Sequence, residues 1–153
     1  MGIIGLGLIG GSLAKALHYH GVCEIVGLDR DRAVLDAALS DGVLAAGEIL
    51  PPLPAGGQEQ GGLGGDESVY TILRGCSAVF ICTPTSTVAD YANIAASYCD
   101  GIITDVASVK QPVMEKVRTP RFIGGHPMAG SEKHGYGHSS EILLENAVYV
   151  LCL

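Results

Sequence analysis

Residues 1–12, MGIIGLGLIGGS, decide how the rest of the chain is read. Gly2-Ile3-Ile4 is a short apolar run with the character of a buried strand. Gly5, Gly7 and Gly10 follow with G-x-G-x-x-G spacing, and Leu13, Ala14, Ala16 and Leu17 then recur at helical spacing. Strand, glycine turn and helix is the order of a dinucleotide-binding unit. Gly5 permits the tight turn, Gly7 lets the backbone approach a pyrophosphate, and Gly10 lets the helix pack close to the strand. The first helical turn, with Leu8 and Ile9, presents free N–H groups and a partial positive charge, both of which suit phosphate. Glu24 to Leu28 reads as the second strand and Asp29 ends it. That places a carboxylate about 20 residues past the turn, where it can hold the ribose hydroxyls of NAD.

Composition narrows the class. A chain of 153 residues suggests a single domain, and 48% hydrophobic residues with 22 glycines suit an α/β domain whose strands are buried on both faces. The net charge is −7 and the basic residues are scattered singly, which argues against a nucleic-acid partner. No apolar run is long enough to span a membrane. The first strand starts at the beginning of the sequence, so no targeting peptide is expected. The five cysteines are odd in number and contain no C-x-x-C. They read as reduced, mostly buried small hydrophobes of a cytoplasmic protein.

Further along, Asp31 is placed to cap a helix running to about Leu39, which Gly42 ends. Ile49 to Glu67, ILPPLPAGGQEQGGLGGDE, has no hydrophobic period and is expected to be a long mobile surface loop, with a Gly/Pro-rich insertion at about 51–66. A short helix is predicted over 68–74 and a strand over 78–82. Thr83-Pro84-Thr85 follows that strand, and Ser86 can cap a helix with Val88, Tyr91, Ala95 and Tyr98 on its inner face. A strand over 101–104 ends at Asp105. A short helix over 112–117, a strand over 121–124, a polar loop over 125–137, a helical stretch over 139–146 and a last strand over 147–153 complete the chain. Alternating strands and helices predict a Rossmann-type, doubly wound, mostly parallel sheet. In such a sheet ligands bind at the carboxyl ends of the strands. Gly5–Gly10, Asp29, Thr83-Pro84, 105–110 and 125–132 all fall there.

Two of these segments are more than connections: 104–110, TDVASVK, and 124–132, GGHPMAGSE. With GLGLIGGSLA at the start, they occur in the order found in the prephenate and arogenate dehydrogenases, and nearly the whole chain outside the 51–66 insertion resembles that family. The resemblance implies an NAD-dependent oxidative decarboxylation. The C4 hydrogen of prephenate leaves as hydride, its hydroxyl proton is taken as a carbonyl forms, and loss of CO2 gives aromatic 4-hydroxyphenylpyruvate, on the way to tyrosine. His126 matches the family's catalytic histidine, and a neutral imidazole, with a reference pKa of about 6.5, suits the proton-accepting task. A surface-loop histidine is the plain alternative.

Ser108 matches a family serine that hydrogen-bonds near the hydroxyl and the nicotinamide. Ser108-x-x-Gln111 also has capping-box spacing, although Pro112 favours Gln111 as the cap. Asp105 orders the turn on the simplest reading. Lys110 is either a solvated charge or a contact for an anionic substrate. Glu132 resembles a residue at the family's active-site entrance, with a surface salt bridge as the alternative. His134 and His138 have i,i+4 spacing, but Gly135 and Gly137 make a helix poor there and no metal site is expected. Asp29 favours NAD over NADP, while Arg30 and Arg32 are the residues that could reach a 2′-phosphate. The family continues into a helical domain that dimerises and completes the substrate pocket. The resemblance therefore implies that this chain is the cofactor-binding part, from a homodimeric enzyme. A different two-domain hydroxy-acid dehydrogenase and a non-catalytic NAD-binding module are the competing readings.

Overall fold

The computed structural model describes residues 1–53 and 67–152. Seven strands form one sheet, in the order β3-β2-β1-β4-β5-β6-β7. They are β1 (Gly2–Ile4), β2 (Val26–Asp29), β3 (Ala46–Ile49), β4 (Ala78–Ile81), β5 (Ile102–Asp105), β6 (Phe122–Pro127) and β7 (Tyr149–Cys152). Every pairing from β3 to β6 is parallel, and β7 runs antiparallel to β6. This is the doubly wound order 3-2-1-4-5-6 with one added antiparallel edge strand.

Helices α1 (Leu8–Tyr19), α2 (Arg32–Ser40), α3 (Thr85–Ala95) and α4 (Gln111–Met114) connect the strands. Side chains that alternate along β1 separate the core into two layers. Ile3 packs with Ala14, Ile25, Leu35 and Ala38 on the α1–α2 face. Ile4 packs with Tyr70, Leu73, Val88, Tyr91 and Val113 on the other face, under a 3₁₀ turn (Glu67–Leu73), α3 and α4. Both faces are covered, which is why the strands are short continuous apolar runs.

Local signals explain several boundaries. Asp31 caps α2 by accepting from the Ala33 N–H at 2.9 Å, and Gly42 leaves the helix at φ +72°. At the carboxyl end of α3 the Arg121 guanidinium donates to the carbonyls of Ala96, Cys99 and Gly101. A cation there satisfies helix-end carbonyls that lack intrahelical partners.

Five expectations are corrected. Ala46–Ile49 is a strand, half-buried at the sheet edge and held by its pairing to β2, so the irregular stretch begins later than Ile49. Leu50 is buried and Leu53 packs against the core, while the remainder of the expected insertion, 54–66, lies outside the described residues. Pro84, not Ser86, stands at the N-cap of α3. α4 begins at Gln111 with Lys110 as the N-cap residue, so Pro112 falls inside its first turn and Gln111 is not the cap. β6 does not stop at Gly124: it continues through His126 and Pro127 because β7 pairs with Gly124–Pro127.

The last correction concerns residues 141–146, which form successive turns and no helix. Their bonds span three residues, from Leu143 N–H to the Ser140 carbonyl and from Glu145 N–H to the Ile142 carbonyl. Asn146 ends them at φ +58°. The preceding chain is committed elsewhere: Ser140 N–H donates to the Ser12 hydroxyl and Lys15 Nζ donates to the Ser139 carbonyl, both on α1. With the chain before them anchored to α1, the turns close locally through three-residue bonds and do not continue as a helix.

Candidate active site

Parallel strands put all their carboxyl ends on one edge. The register aligns Leu28, Ile4, Ile81 and Asp105 in a single row across β2, β1, β4 and β5. The residues one step further, Asp29, Gly5, Cys82 and Val106, therefore share that edge.

The glycine turn is built around close backbone approach. Gly5 has φ +92°, a conformation that side chains disfavour. A Cβ on Gly10 would lie 2.0 Å from the Gly5 carbonyl oxygen, so only glycine lets α1 sit this near β1. Gly7, the N-cap of α1, is different: a Cβ there would meet nothing within 4 Å. The chain does not need that space for packing, and it lies in front of a helix N-terminus with no acidic residue in its first turn. Leu8 and Ile9 carry that turn. The arrangement fits a diphosphate.

Asp29 accepts from Leu6 N–H at 2.6 Å and from Asp31 N–H at 2.9 Å, one bond on each oxygen. It thus fixes the glycine turn while each oxygen keeps acceptor capacity for a ribose hydroxyl. Arg30 beside it is exposed. Arg32 is turned along its own helix towards Asp36, at 3.4 Å. Thr83 lies next to the turn, its methyl 3.2 Å from where a Gly5 Cβ would be, and its hydroxyl accepts from Thr87 at 3.0 Å. Pro84 is exposed beside it.

The second group of residues forms around Asp105. Its carboxylate is fully buried and paired with Lys110 Nζ at 2.5 and 2.6 Å. It also accepts from Gly125 N–H at 3.0 Å and Ala107 N–H at 3.1 Å. Next to Gly125, His126 turns its Nδ1 to the Val106 carbonyl at 3.3 Å. A carbonyl only accepts, so this bond places the proton on Nδ1 and leaves a lone pair on Nε2. Tyr149, across from Pro127 on β7, donates its hydroxyl to the Asp105 carbonyl at 3.1 Å.

Cys82 joins the two groups. Its Cβ is 3.0 Å from where a Gly10 Cβ would be. Burial and the Asp105 charge push its thiol up to about 12. Partial burial of its phenol end, with the Cys82 and Asp105 charges outweighing a hydrogen bond from Thr104, pushes Tyr149 up to about 12 as well, although the residue as a whole is exposed. Both groups hold their protons at neutral pH, so neither is an anionic nucleophile there. His126 is the group in this cluster with a free lone pair suited to taking a proton.

The structure thus gathers Gly5, Gly7, Gly10, Asp29 and Thr83 at one part of the edge, and His126 with Lys110 at another. Lys110 is not a solvated charge: its side chain is 14% exposed and its ammonium faces Asp105. Ser108 is exposed on the loop before α4, and Glu132 is exposed beyond β6. Among the described residues Glu132 takes part in neither ion pair. Sequence reading missed Cys82, Tyr149 and the Val106 carbonyl. The available signal was a charged residue, Asp105, ending an apolar strand.

Comparison with known proteins agrees with this geometry. Residues 59–153, more than half of the chain, match the family described as prephenate dehydrogenase, nucleotide-binding domain. A prephenate dehydrogenase of Bacillus subtilis is 35% identical over 97% of this chain, which spans 38% of that relative. An arogenate dehydrogenase structure from Synechocystis superposes with a TM-score of 0.76 at 29% identity, over 98% of this chain and 48% of that one. The Aquifex aeolicus prephenate dehydrogenase in complex with hydroxyphenyl propionate and NAD+ superposes with a TM-score of 0.76 at 25% identity, over 99% of this chain and 49% of that one. The chain thus spans half or less of the length of these relatives. On its sequence match and its fold alike, it belongs to the prephenate dehydrogenase nucleotide-binding domain family.

Proposed function

We propose that this chain supplies the cofactor cradle and the proton acceptor of an NAD-dependent prephenate dehydrogenase. The observation that carries the reading is the orientation of His126: Nδ1 bonded to a carbonyl, Nε2 free, on the sheet edge that also holds the glycine turn. Bound NAD+ supplies the hydride acceptor. The N–H groups of the first turn of α1 bind its diphosphate, and the Asp29 carboxylate receives the adenosine ribose hydroxyls and repels a 2′-phosphate. Thr83 and Pro84 flank the path towards His126.

His126 Nε2 takes the proton from the C4 hydroxyl of prephenate as the carbonyl forms, while Nδ1–H stays on Val106 and stabilises the imidazolium. Ser108, within the same loop as Val106, donates or accepts at the hydroxyl. Loss of CO2 then leaves its electron pair to the ring, the oxygen becomes a phenolate, and the His126 imidazolium returns its proton there to give 4-hydroxyphenylpyruvate. Glu132 stands at the entrance. Lys110, committed to Asp105, is a weaker candidate for direct contact with substrate. Groups outside residues 1–153 complete the pocket, as the greater length of the relatives suggests, and the intact enzyme is read as a homodimer. The five cysteines are all unpaired, in keeping with a cytoplasmic location. Among the described residues no helix is long and apolar enough to cross a membrane.

The test is direct. The full-length protein is mixed with NAD+ and either prephenate or arogenate, and NADH absorbance is followed. NADH formation with prephenate supports the reading. Formation with arogenate alone moves the assignment to the sister activity. NAD+ binding with turnover of neither substrate overturns it.

A further inference from the structure

Asp105 is the one charged side chain among the described residues that is fully buried, and the proton transfer just described does not use it. Its four bonds have a pattern. Oδ1 accepts from the N–H of Gly125, the residue before His126. Oδ2 accepts from the N–H of Ala107, the residue after Val106. Lys110 spans both oxygens. Val106 is therefore gripped on both sides, by Asp105 itself and by Ala107, and Gly125 ties the same carboxylate to the strand that carries the imidazole. Tyr149 adds a bond to the Asp105 carbonyl, and its ring lies against Gly125, where a Cβ would come within 2.6 Å of it. The Val106 carbonyl that receives His126 Nδ1 sits inside this knot.

Two backbone donors arrive on two different oxygens. A carboxylate accepts on both; an amide would turn a donor towards one of them. Lys110 supplies the counter-charge that lets the anion stay buried.

We infer that Asp105 is a positioning residue: its carboxylate, neutralised by Lys110, fixes the Val106 carbonyl against His126 and so holds the imidazole as the Nδ1–H tautomer with Nε2 as the accepting atom. The inference rests on the reading of His126 as the proton acceptor, and it assigns Lys110 to Asp105 and not to substrate.

The tautomer is measured on the 153-residue chain by nitrogen NMR of the imidazole, well above the ordinary histidine pKa of about 6.5, with the His126 signals assigned by their loss in His126→Gln. The wild type is expected to be mostly Nδ1–H. Asp105→Asn combined with Lys110→Met, which leaves no orphaned buried cation, is expected to lower the Nδ1–H to Nε2–H ratio by about fivefold or more, the value of one ordinary hydrogen bond. Asp105→Glu keeps the ion pair but displaces both oxygens, and lowers the ratio in the same direction should the double variant not fold. Tyr136→Phe, which removes a hydrogen bond to Asp41 far from this knot, leaves the ratio unchanged. In the full-length protein the Asp105 variants lower kcat with prephenate by about tenfold or more while KM for NAD+ stays within about twofold.

A wild type that is mostly Nε2–H overturns the inference. So does a folded Asp105 variant with the wild-type ratio or the wild-type kcat, or a Tyr136→Phe that shifts the ratio as far. Should wild-type protein fail to oxidise prephenate, the dehydrogenase reading falls while the tautomer ratios still decide the role of Asp105 towards His126.

Discussion

A histidine takes a proton only through a nitrogen that carries a lone pair, so what its other nitrogen touches decides whether it can serve. Here the partner of Nδ1 is the Val106 carbonyl, which forces the useful lone pair onto Nε2. Removing that base should be costly to turnover and nearly silent in binding. His126→Asn in the full-length protein is expected to lower kcat by about 100-fold or more, the usual worth of a general base, with NAD+ affinity within about twofold of wild type. Steady-state kinetics with a parallel binding titration checks this, and a variant at full rate removes His126 from the role. The sequence singled out His126 through its setting in GGHPMAGSE, at the carboxyl end of a strand. Its tautomer was not legible there, because it depends on a carbonyl 20 residues away.

At the scale of elements, the turn between β1 and α1 separates two uses of glycine. Gly10 is required by the fold: an added methyl meets the Gly5 carbonyl at 2.0 Å. Gly7 is not required by packing, since a methyl there meets nothing of the protein, and the proposed function gives that space to the diphosphate. Gly10→Ala is expected to destabilise the chain by about 3 kcal/mol or more, the upper end for overpacking. Gly7→Ala is expected to stay within about 0.5 kcal/mol of wild-type stability and still weaken NAD+ binding by about tenfold or more. Urea unfolding and calorimetric titration of the two variants give the comparison, and equal stability losses would sink the distinction. This turn, α1, β2 with Asp29, and the Asp31 cap were all readable, because each rests on a local pattern. β3 was not: Ala46-Gly47-Glu48-Ile49 has little strand propensity and is a strand through its neighbour β2. The extension of β6 through His126 was hidden for the same reason, since it depends on β7, more than 20 residues later. The expected helix over 139–146 failed because Ser12 and Lys15 of α1 bind the chain just before it.

Over the whole molecule, the surroundings of three acidic side chains favour their neutral forms. Cys82 and Tyr149 hold their protons to about pH 12, whereas a thiol and a phenol in the unfolded chain release theirs near 9 and 10. Buried Tyr136 is shifted upward too, first by burial and then by Asp41. Between those values the unfolded state binds fewer protons than the folded one, so stability falls as pH rises. The contribution of these groups is whole below about pH 9 and is lost progressively up to about pH 12. Urea midpoints measured across that range should decline, and Tyr149→Phe should flatten the decline. The central claim is that the glycine turn and the His126 imidazole face one cleft across Cys82. It is tested most directly by NMR of the His126 ring in the 153-residue chain titrated with NAD+ and, separately, with ADP-ribose, which lacks the nicotinamide. Both ligands should bind and shift the signals of the glycine turn, and NAD+ alone should shift the His126 ring and give contacts from nicotinamide protons to it. Saturating NAD+ that leaves the imidazole signals where ADP-ribose leaves them would contradict the account.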